Sequence, residues 1–465
     1  MTNPLHARMF QSVRLHRNYR LFFSGQMVSQ IGSWIQKVAQ AWFVLDLTHS
    51  GRALGVLVAC QFAPYAVFGL FGGALSDRLD NHRALIGTQA AQMGTAGVMA
   101  AFAFAGSLTV PETDVIAAIQ GLVLVLDTPI RQAFVVQMVG REELPNAIAL
   151  NVSLFNAARI LGPVLGGLAI AGVGVRVCFL VNALSYLPVL AGLMAMRRGD
   201  LHQPSRVLQT SAKAVLRSTG EGLRMAWRIP AVLIIMMMII VVATLGNNFN
   251  VALPILTRDT LHTGSTGLGL LLACYGTGAL CGALAVASIG RASWAVLLAS
   301  CGLLGTLELL LATQTTTIGF AAILVCAGVT FSCFTSSANA TLQLHVPDDF
   351  RTRILALYSY AWIGTSPLSG LLAGWLTQSG GVALIFGIGG SAVISATVLA
   401  LALRLIGLRR NPRHARNVRR ARGYGQDLPM ARPPARLLPE GPVRAYDRMP
   451  AAEEHRQLAG VRASS

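Results

Sequence analysis

Asp127 and Arg131 stand four residues apart in a stretch otherwise apolar enough to sit in lipid. A carboxylate and a guanidinium one helical turn apart can pair. A carboxylate so placed can also take up and release a proton, with the arginine tuning how readily it does so. Both readings, structural ion pair and proton carrier, stay open on these residues alone. Lys37, Arg159 and Glu308 are further ionisable groups in apolar surroundings, where charge is costly enough that each needs a reason. Arg159 fits a cavity or a helix contact equally well, and Glu308 reads best as an isolated carboxylate snorkelling to an outer interface. Polar side chains recur near these groups at three- and four-residue spacing. One set is Gln26, Gln30, Ser33, Lys37 and Gln40, and a second is Gln120, Asp127 and Arg131. Asn247, Asn248 and Asn250 form a third cluster, and Ser332, Ser336, Asn339 and Gln343 a fourth stripe. Such spacing puts each set on one face of a helix. The chemistry implied is binding and proton exchange. The sequence shows no Walker-type loop, no His/Cys cluster with ligand spacing and no soluble nucleotide domain, so enzyme activity, ATP drive, cofactors and metals are not expected.

The elements that must position these groups are hydrophobic stretches of membrane-spanning length, each able to cover a hydrocarbon core about 30 Å thick with roughly 20 helical residues. They fall at 21–46, 54–76, 84–105, 114–139, 147–171 and 175–196, then at 231–257, 266–289, 293–312, 317–341, 354–377 and 382–405. The sixth and twelfth almost lack a strongly polar face. The pattern predicts an all-α polytopic membrane protein of twelve transmembrane helices in two pseudo-symmetric six-helix bundles. The expected organisation is a cytoplasmic segment 1–20, a bundle 21–196, a basic linker 197–230, a second bundle 231–405 and a basic disordered tail 406–465. With 54% of residues hydrophobic and 12% charged, the chain has about half the charge usual for a soluble protein. The first stretch is as long as the rest and ends in no small-residue cleavage site, so it reads as a helix and not a signal peptide. The seven cysteines, Cys60, Cys178, Cys274, Cys281, Cys301, Cys326 and Cys333, all fall in spans and read as buried, inert thiols.

A net charge of +18 raises the question of nucleic acid, and its placement answers it. Of the 37 Lys and Arg, three are external (Arg52, Arg176, Arg258) and three lie within spans (Lys37, Arg131, Arg159), leaving 31 on the side of the termini. By the positive-inside rule both termini are cytoplasmic, and the partner of the charge is anionic membrane lipid, not nucleic acid. The scarcity of lysine hints at a GC-rich bacterial genome, hence a bacterial inner membrane. Residues 213–228 suit an amphipathic helix on the membrane surface, most simply a passive tether.

The halves resemble each other locally: Gly162-Pro163-Val164-Leu165-Gly166-Gly167 in the fifth stretch is echoed by Ser366-Pro367-Leu368-Ser369-Gly370 and Gly374 in the eleventh. Residues Gly73-Ala74-Leu75-Ser76-Asp77-Arg78-Leu79-Asp80-Asn81-His82-Arg83 are similar to the loop signature of the major facilitator superfamily, with Asp80 in place of its later glycine. Ser29-Gln30-Ile31-Gly32, Leu47-Thr48-His49-Ser50, Glu143-Leu144-Pro145-Asn146-Ala147, Thr257-Arg258-Asp259 and Pro347 through Arg353 fit one group within it, at the corresponding helix ends. On these residues the chain, over roughly 15–405, resembles the enterobactin-exporter-like transporters, also called transmembrane secretion effectors.

The resemblance implies roles for particular residues. Gly73, Asp77, Arg78 and Arg83 would form a conformational latch between the halves on the cytoplasmic side, the plainer alternative being an interfacial ion pair that sets topology. Gly162, Pro163, Gly166 and Gly167 would be an exporter-type motif shaping the interface of the halves, or else simple close packing. The first, fourth, seventh and tenth helices would line a central cavity, making Gln30, Ser33, Lys37, Asp127, Arg131, Asn247, Asn248, Ser336 and Asn339 cavity or coupling residues. The function implied is secondary active export of a small amphiphilic molecule (siderophore, drug or metabolite) by alternating access, as a proton antiporter and a monomer. An importer or lipid flippase on the same fold, or a non-transporting sensor or scaffold, remains the alternative.

Overall fold

Ser50, Asp80, Ser293 and Thr316 each stand just ahead of a long apolar helix and accept a bond from one of its first backbone N–H groups. Ser50 Oγ accepts from Ala53 at 3.4 Å, Asp80 Oδ1 from Arg83 at 2.9 Å, Ser293 Oγ from Ala295 at 3.2 Å and Thr316 Oγ1 from Gly319 at 3.2 Å. These caps satisfy donors that a helix start leaves unpaired. Asp80 is therefore a helix-capping residue, which accounts physically for its departure from the loop signature. The reversals also use left-handed backbone, at His49 (φ 51°) and Gly106 (φ 71°).

The computed structural model describes residues 10–202, 212–289 and 293–410. A short helical segment, Gln11–Leu15, precedes α1 (Arg17–Thr48), α2 (Gly51–Ser76), α3 (Asn81–Ala105), α4 (Val110–Val139), α5 (Leu144–Val173) and α6 (Val175–Met194). A linker helix, Ala212–Arg228, leads to α7, built from Pro230–Thr244, Phe249–Ile255 and a π turn Leu256–Thr260. Then come α8 (Gly264–Ile289), α9 (Trp294–Thr313) and α10 (Thr317–His345). Asp348–Ile363 continues into the helical run Ser366–Arg410, which leaves helical geometry at Gly380 and Gly381. That break divides the run, so that α11 is 348–379 and α12 is 382–410. Among the described residues nine helices are long and apolar enough to cross a membrane. Helices α1 and α3 match them in length with more polar residues, and one of the nine, 348–406, holds both α11 and α12. The twelve spans follow. The sequence readings for residues 1–9, 203–211 and 411–465 lie outside the described residues.

The outer surface is apolar, while polar side chains lie inside among the apolar core. Val67, Phe68, Leu168, Leu184 and Trp375 are exposed on the outer surface, while Gln36, Gln40, Gln89, Asp127, Asn182, Asn248 and Glu308 are buried. That arrangement matches lipid outside and a polar interior. Two sequence expectations change here. Cys281 and Cys326 are exposed, so they sit on outward faces. Glu308 does not snorkel: it is 2% exposed, inside the contact of α9 with α12. A methyl group on Gly389 would lie 3.0 Å from Glu308 Oε2 and 2.5 Å from the Leu245 carbonyl oxygen. The absence of a side chain at Gly389 makes the room that holds this carboxyl inside.

The α7 stripe also changes. The helix stops at Thr244 and resumes at Phe249, leaving main-chain groups that lipid cannot satisfy. Asn248 fills that need, its Nδ2 donating to the carbonyls of Thr244 (3.2 Å) and Leu245 (2.9 Å) while its Oδ1 accepts from Ser369 on α11 (2.6 Å). Asn248 thus repairs a broken helix as well as facing the interior.

Candidate transport cavity

The bundle has a terminal face, where α1 begins and the linker lies, and an opposite hairpin face, where the α1–α2, α5–α6, α7–α8 and α11–α12 turns lie. Between them is a polar cavity in three adjoining lobes. The first, about 110 Å³, lies within α1–α6 and is lined by Gln30, Ser33 and Lys37 of α1, Asp127 and Arg131 of α4, and Tyr186 of α6 among others. The second, about 120 Å³, lies where the halves meet, between Trp34, Lys37 and Phe62 on one side and Phe249, Asn250 and Leu272 on the other. The third, about 70 Å³, is lined by Asn247, Asn248, Trp362, Ser366 and Ser369 with Phe62. Lys37, Gln40, Gln61 and Phe62 border the first two lobes, and Val58, Phe62 and Asn250 the last two. The lobes therefore adjoin through shared walls, in a row from α4 across to α11.

Buried polar groups need partners, and here most find one another. Asn182 Nδ2 donates to Gln36 Oε1 at 2.6 Å, and Ser33 Oγ and Tyr186 Oη are 3.0 Å apart. Gln40 Nε2 donates to Gln120 Oε1 at 3.3 Å. Asp127 is 2% exposed. Its Oδ1 accepts from Thr88 Oγ1 (2.8 Å) and Gln89 Nε2 (2.7 Å), and its Oδ2 is paired with Arg131. Three donors around one carboxylate are the surroundings of a well-solvated anion. Arg131 Nε, Gln26 Oε1 and Gln89 Oε1 are buried beside the cavity with no partner among the described residues. Lys37 is exposed to the lumen, its ammonium 4.7 Å from the Trp34 ring centroid, and the Arg159 guanidinium is 5.2 Å from that of Tyr275. Tyr275 in turn donates to Asn247 Oδ1 at 3.2 Å.

Some residues singled out by spacing lie elsewhere. Ser336 and Asn339 are half-buried and border none of these lobes; Asn339 Oδ1 accepts from Gln343 Nε2 at 2.6 Å on the same helix. Asp77, Arg78 and Arg83 are exposed at the terminal face and form no ion pair among the described residues, and Gly73 is exposed one turn before Asp77. His82, by contrast, is buried, with its Nε2 2.8 Å from the Leu193 carbonyl oxygen at the end of α6. The sequence reading missed Gln61, Gln89 and Gln92, and passed over α6, whose Asn182 and Tyr186 line the first lobe. Their four-residue spacing was the available signal.

The small-residue motif of α5 has two working faces. Gly162 and Gly166 lie against Trp34 and Ile35 of α1, whereas Gly167 meets the Ser265 carbonyl of α8. Reciprocally, a methyl group on Gly269 would sit 2.5 Å from the Pro163 carbonyl oxygen. The α2–α11 crossing repeats the device: methyl groups on Gly370 and Gly374 would lie 2.9 and 2.6 Å from the carbonyl oxygens of Gly55 and Gly51. Gln378 Nε2 donates to Ser50 Oγ at 2.9 Å, and Arg258 of α7 reaches the Leu45 carbonyl and Asp46 of α1. All these contacts between the halves are toward the hairpin face, which is closed in this structure.

A sequence model described as "transmembrane secretion effector" matches residues 12–422. The chain belongs to the transmembrane secretion effector family. Among its relatives is the multidrug efflux pump Tap of Mycolicibacterium fortuitum, 25% identical over 83% of this chain and 92% of that one. Another is the staphyloferrin A transporter of Staphylococcus aureus, 24% identical over 36% of this chain and 42% of the relative, so that match spans under half of the relative's length. A crystal structure of a POT family transporter in complex with a thioalcohol-conjugated peptide superposes with a TM-score of 0.68 at 11% identity, covering 83% of this chain and 96% of that one. This likeness fixes the fold as that of major facilitator transporters. This secretion-effector family member is accordingly a multi-pass membrane transporter and not an enzyme, with the polar path between its halves as the candidate route.

Proposed function

We propose that the chain exports a small amphiphilic molecule across a bacterial inner membrane by alternating access, as a monomer, with both termini cytoplasmic. The observation that carries this reading is the three-lobed cavity, which crosses from one six-helix half to the other and is shut at the hairpin face by side-chain-free helix crossings. With the terminal face cytoplasmic, this is the inward-facing state. Residues 21–196 and 231–405 act as the two rocking bodies, joined by the linker 197–230, and Gly162, Pro163, Gly166 and Gly167 form part of their bearing surface. Asp77, Arg78 and Arg83 are unpaired here, as a latch on the cytoplasmic side is in its released state; Gly73 lets a neighbouring helix approach when it engages. The relatives named as efflux pumps support export, with a drug-like or siderophore-like cargo.

The cycle draws on exchange for protons, with Asp127 as the site that binds them. Taking a proton would release Arg131 from Asp127, while Thr88 and Gln89 hold the carboxyl in place. The arrangement thereby couples a proton to the position of a cation beside the substrate path. Inside-out vesicles carrying the chain, given a pH gradient and a panel of amphiphilic dyes, test the proposal. Wild type accumulates dye, an ionophore that collapses the gradient stops it, and Asp127→Asn abolishes uphill accumulation while leaving downhill exchange. Accumulation that persists without the gradient refutes proton drive. Undiminished accumulation by Asp127→Asn removes that residue as the coupling site.

A further inference from the structure

The charges along the cavity do not balance. In the first lobe Asp127 is neutralised by Arg131. Among the described residues no carboxylate lines the second or third lobe. Yet Lys37 borders both the first and second lobes, and Arg159, on α5, stands over Tyr275, whose hydroxyl donates to Asn247 in the wall of the third. Among the described residues neither cation forms an ion pair. Lys37 lies over the Trp34 ring, and Gly162, nearly one turn beyond Arg159 on α5, packs against the same Trp34, so two like charges share one neighbourhood and repel. Aromatic faces offset only part of that cost. A counter-ion in a low-dielectric site contributes considerably more. Two cations held in a membrane interior without a counter-ion among the described residues are an arrangement suited to an incoming anion.

We propose that the substrate is a carboxylate-bearing amphiphile, its carboxylate received between Lys37 and Arg159. The proposal rests on reading this cavity as the transport site and narrows the cargo to acids. The apolar body lies in the second lobe against Trp34, Phe62, Phe249 and Leu272, all of which line it or border it. Gln40, Gln61 and Asn250 on the same walls supply neutral amide donors for the remaining carboxylate lone pairs. Selection is by charge, because the amides accept and donate alike and discriminate little among neutral cargoes.

A matched pair of probes isolates that charge: 1-naphthaleneacetic acid and its amide have the same shape and differ by one negative charge. Their affinities are measured on the purified full-length chain in lipid nanodiscs by equilibrium binding of the radiolabelled compounds. The acid is expected to bind at least about tenfold tighter than the amide, a modest share of what a desolvated charge pair contributes. Lys37→Gln should bring the two affinities together, Lys37→Arg should keep them apart, and Arg159→Gln should narrow the gap. Equal affinities in wild type, no binding of the acid, or a preference untouched by Lys37→Gln overturns the proposal. The wild-type comparison decides even where a variant fails to fold. Proton-driven accumulation of neutral or cationic dyes without any preference for the acid overturns the anion assignment and leaves export standing. Preferential binding of the acid without its movement in vesicles supports the anion site and counts against transport.

Discussion

Gly269→Ala adds one methyl group at the crossing of α5 and α8. Built on the backbone, that methyl lies 2.5 Å from the Pro163 carbonyl oxygen and 3.3 Å from Val164 Cα. Carbon and oxygen settle at about 3.3–3.6 Å, so the helices must part by roughly 0.8 Å at this point. The obstacle is main chain, which cannot swing aside as a long side chain does. Overpacking of this kind costs about 1–3 kcal/mol. The cost falls on the state in which the hairpin face is shut, and rocking apart relieves it. The equilibrium between the two faces should therefore move by about 5- to 150-fold toward opening at the hairpin face. Nitroxide labels at Arg176 and Thr315, both exposed hairpin-face positions in opposite halves, report the change by pulsed dipolar spectroscopy. Gly172→Ala is the control, since a methyl there meets nothing within 4 Å. A distance distribution for Gly269→Ala that overlays both wild type and control would refute the reasoning: the crossing would then be compliant, and its glycines unnecessary for closure.

Three further perturbations follow from single contacts. Asp80→Ala removes the bond to the Arg83 N–H and should cost about 1 kcal/mol, read as a lower melting temperature, while Asp80→Asn retains most of the cap; equal melting of the alanine variant and wild type counts against the capping role. Asn248→Ala strips the α7 break of its bonds to Thr244 and Leu245 and should cost about 1–3 kcal/mol for each buried group left unpaired. Faster hydrogen exchange confined to 244–250 is the expected sign, and unchanged exchange there contradicts it. Glu308→Gln preserves shape while removing any charge at a site with no partner for Oε2, so its melting temperature should equal or exceed that of wild type; a large fall would mean that an ionised carboxylate is paired there.

Span positions were readable because hydropathy is a property of composition, and burial in lipid leaves no other solution for a 20-residue apolar run. The α7 break was not, since Val241 through Val251 reads as one apolar run with a polar patch. Its signal was the turn-forming run Gly246-Asn247-Asn248. Glu308 shows a different limit. Whether a lone carboxylate points out or in depends on what opposes it, and the opposing Gly389 lies 81 residues away in the chain. The candidate cavity was half legible. The α1 and α4 stripes border it because several polar residues agree in phase, whereas Gln61, Gln89 and Gln92 are too few per helix for periodicity to register. Ser336 and Asn339 have the right phase, but they border none of the lobes, and Asn339 is taken up by a bond from Gln343 one turn along the same helix.

Lys37 and Arg159 also make the carrier an electrical object. With the hairpin face shut, the membrane voltage falls across the sealed side and the cavity shares the potential of the terminal face. Reorientation moves the seal, and thereby carries whatever charge the cavity holds through the field. Each full charge so displaced is worth about 2.3 kcal/mol per 100 mV. In the proposed cycle, two cations unpaired among the described residues would bias the unloaded carrier toward waiting with its cavity open to the negative compartment, and a monovalent anionic passenger would halve that bias. The resting potential of the cell would then act as a spring that resets the carrier between turns.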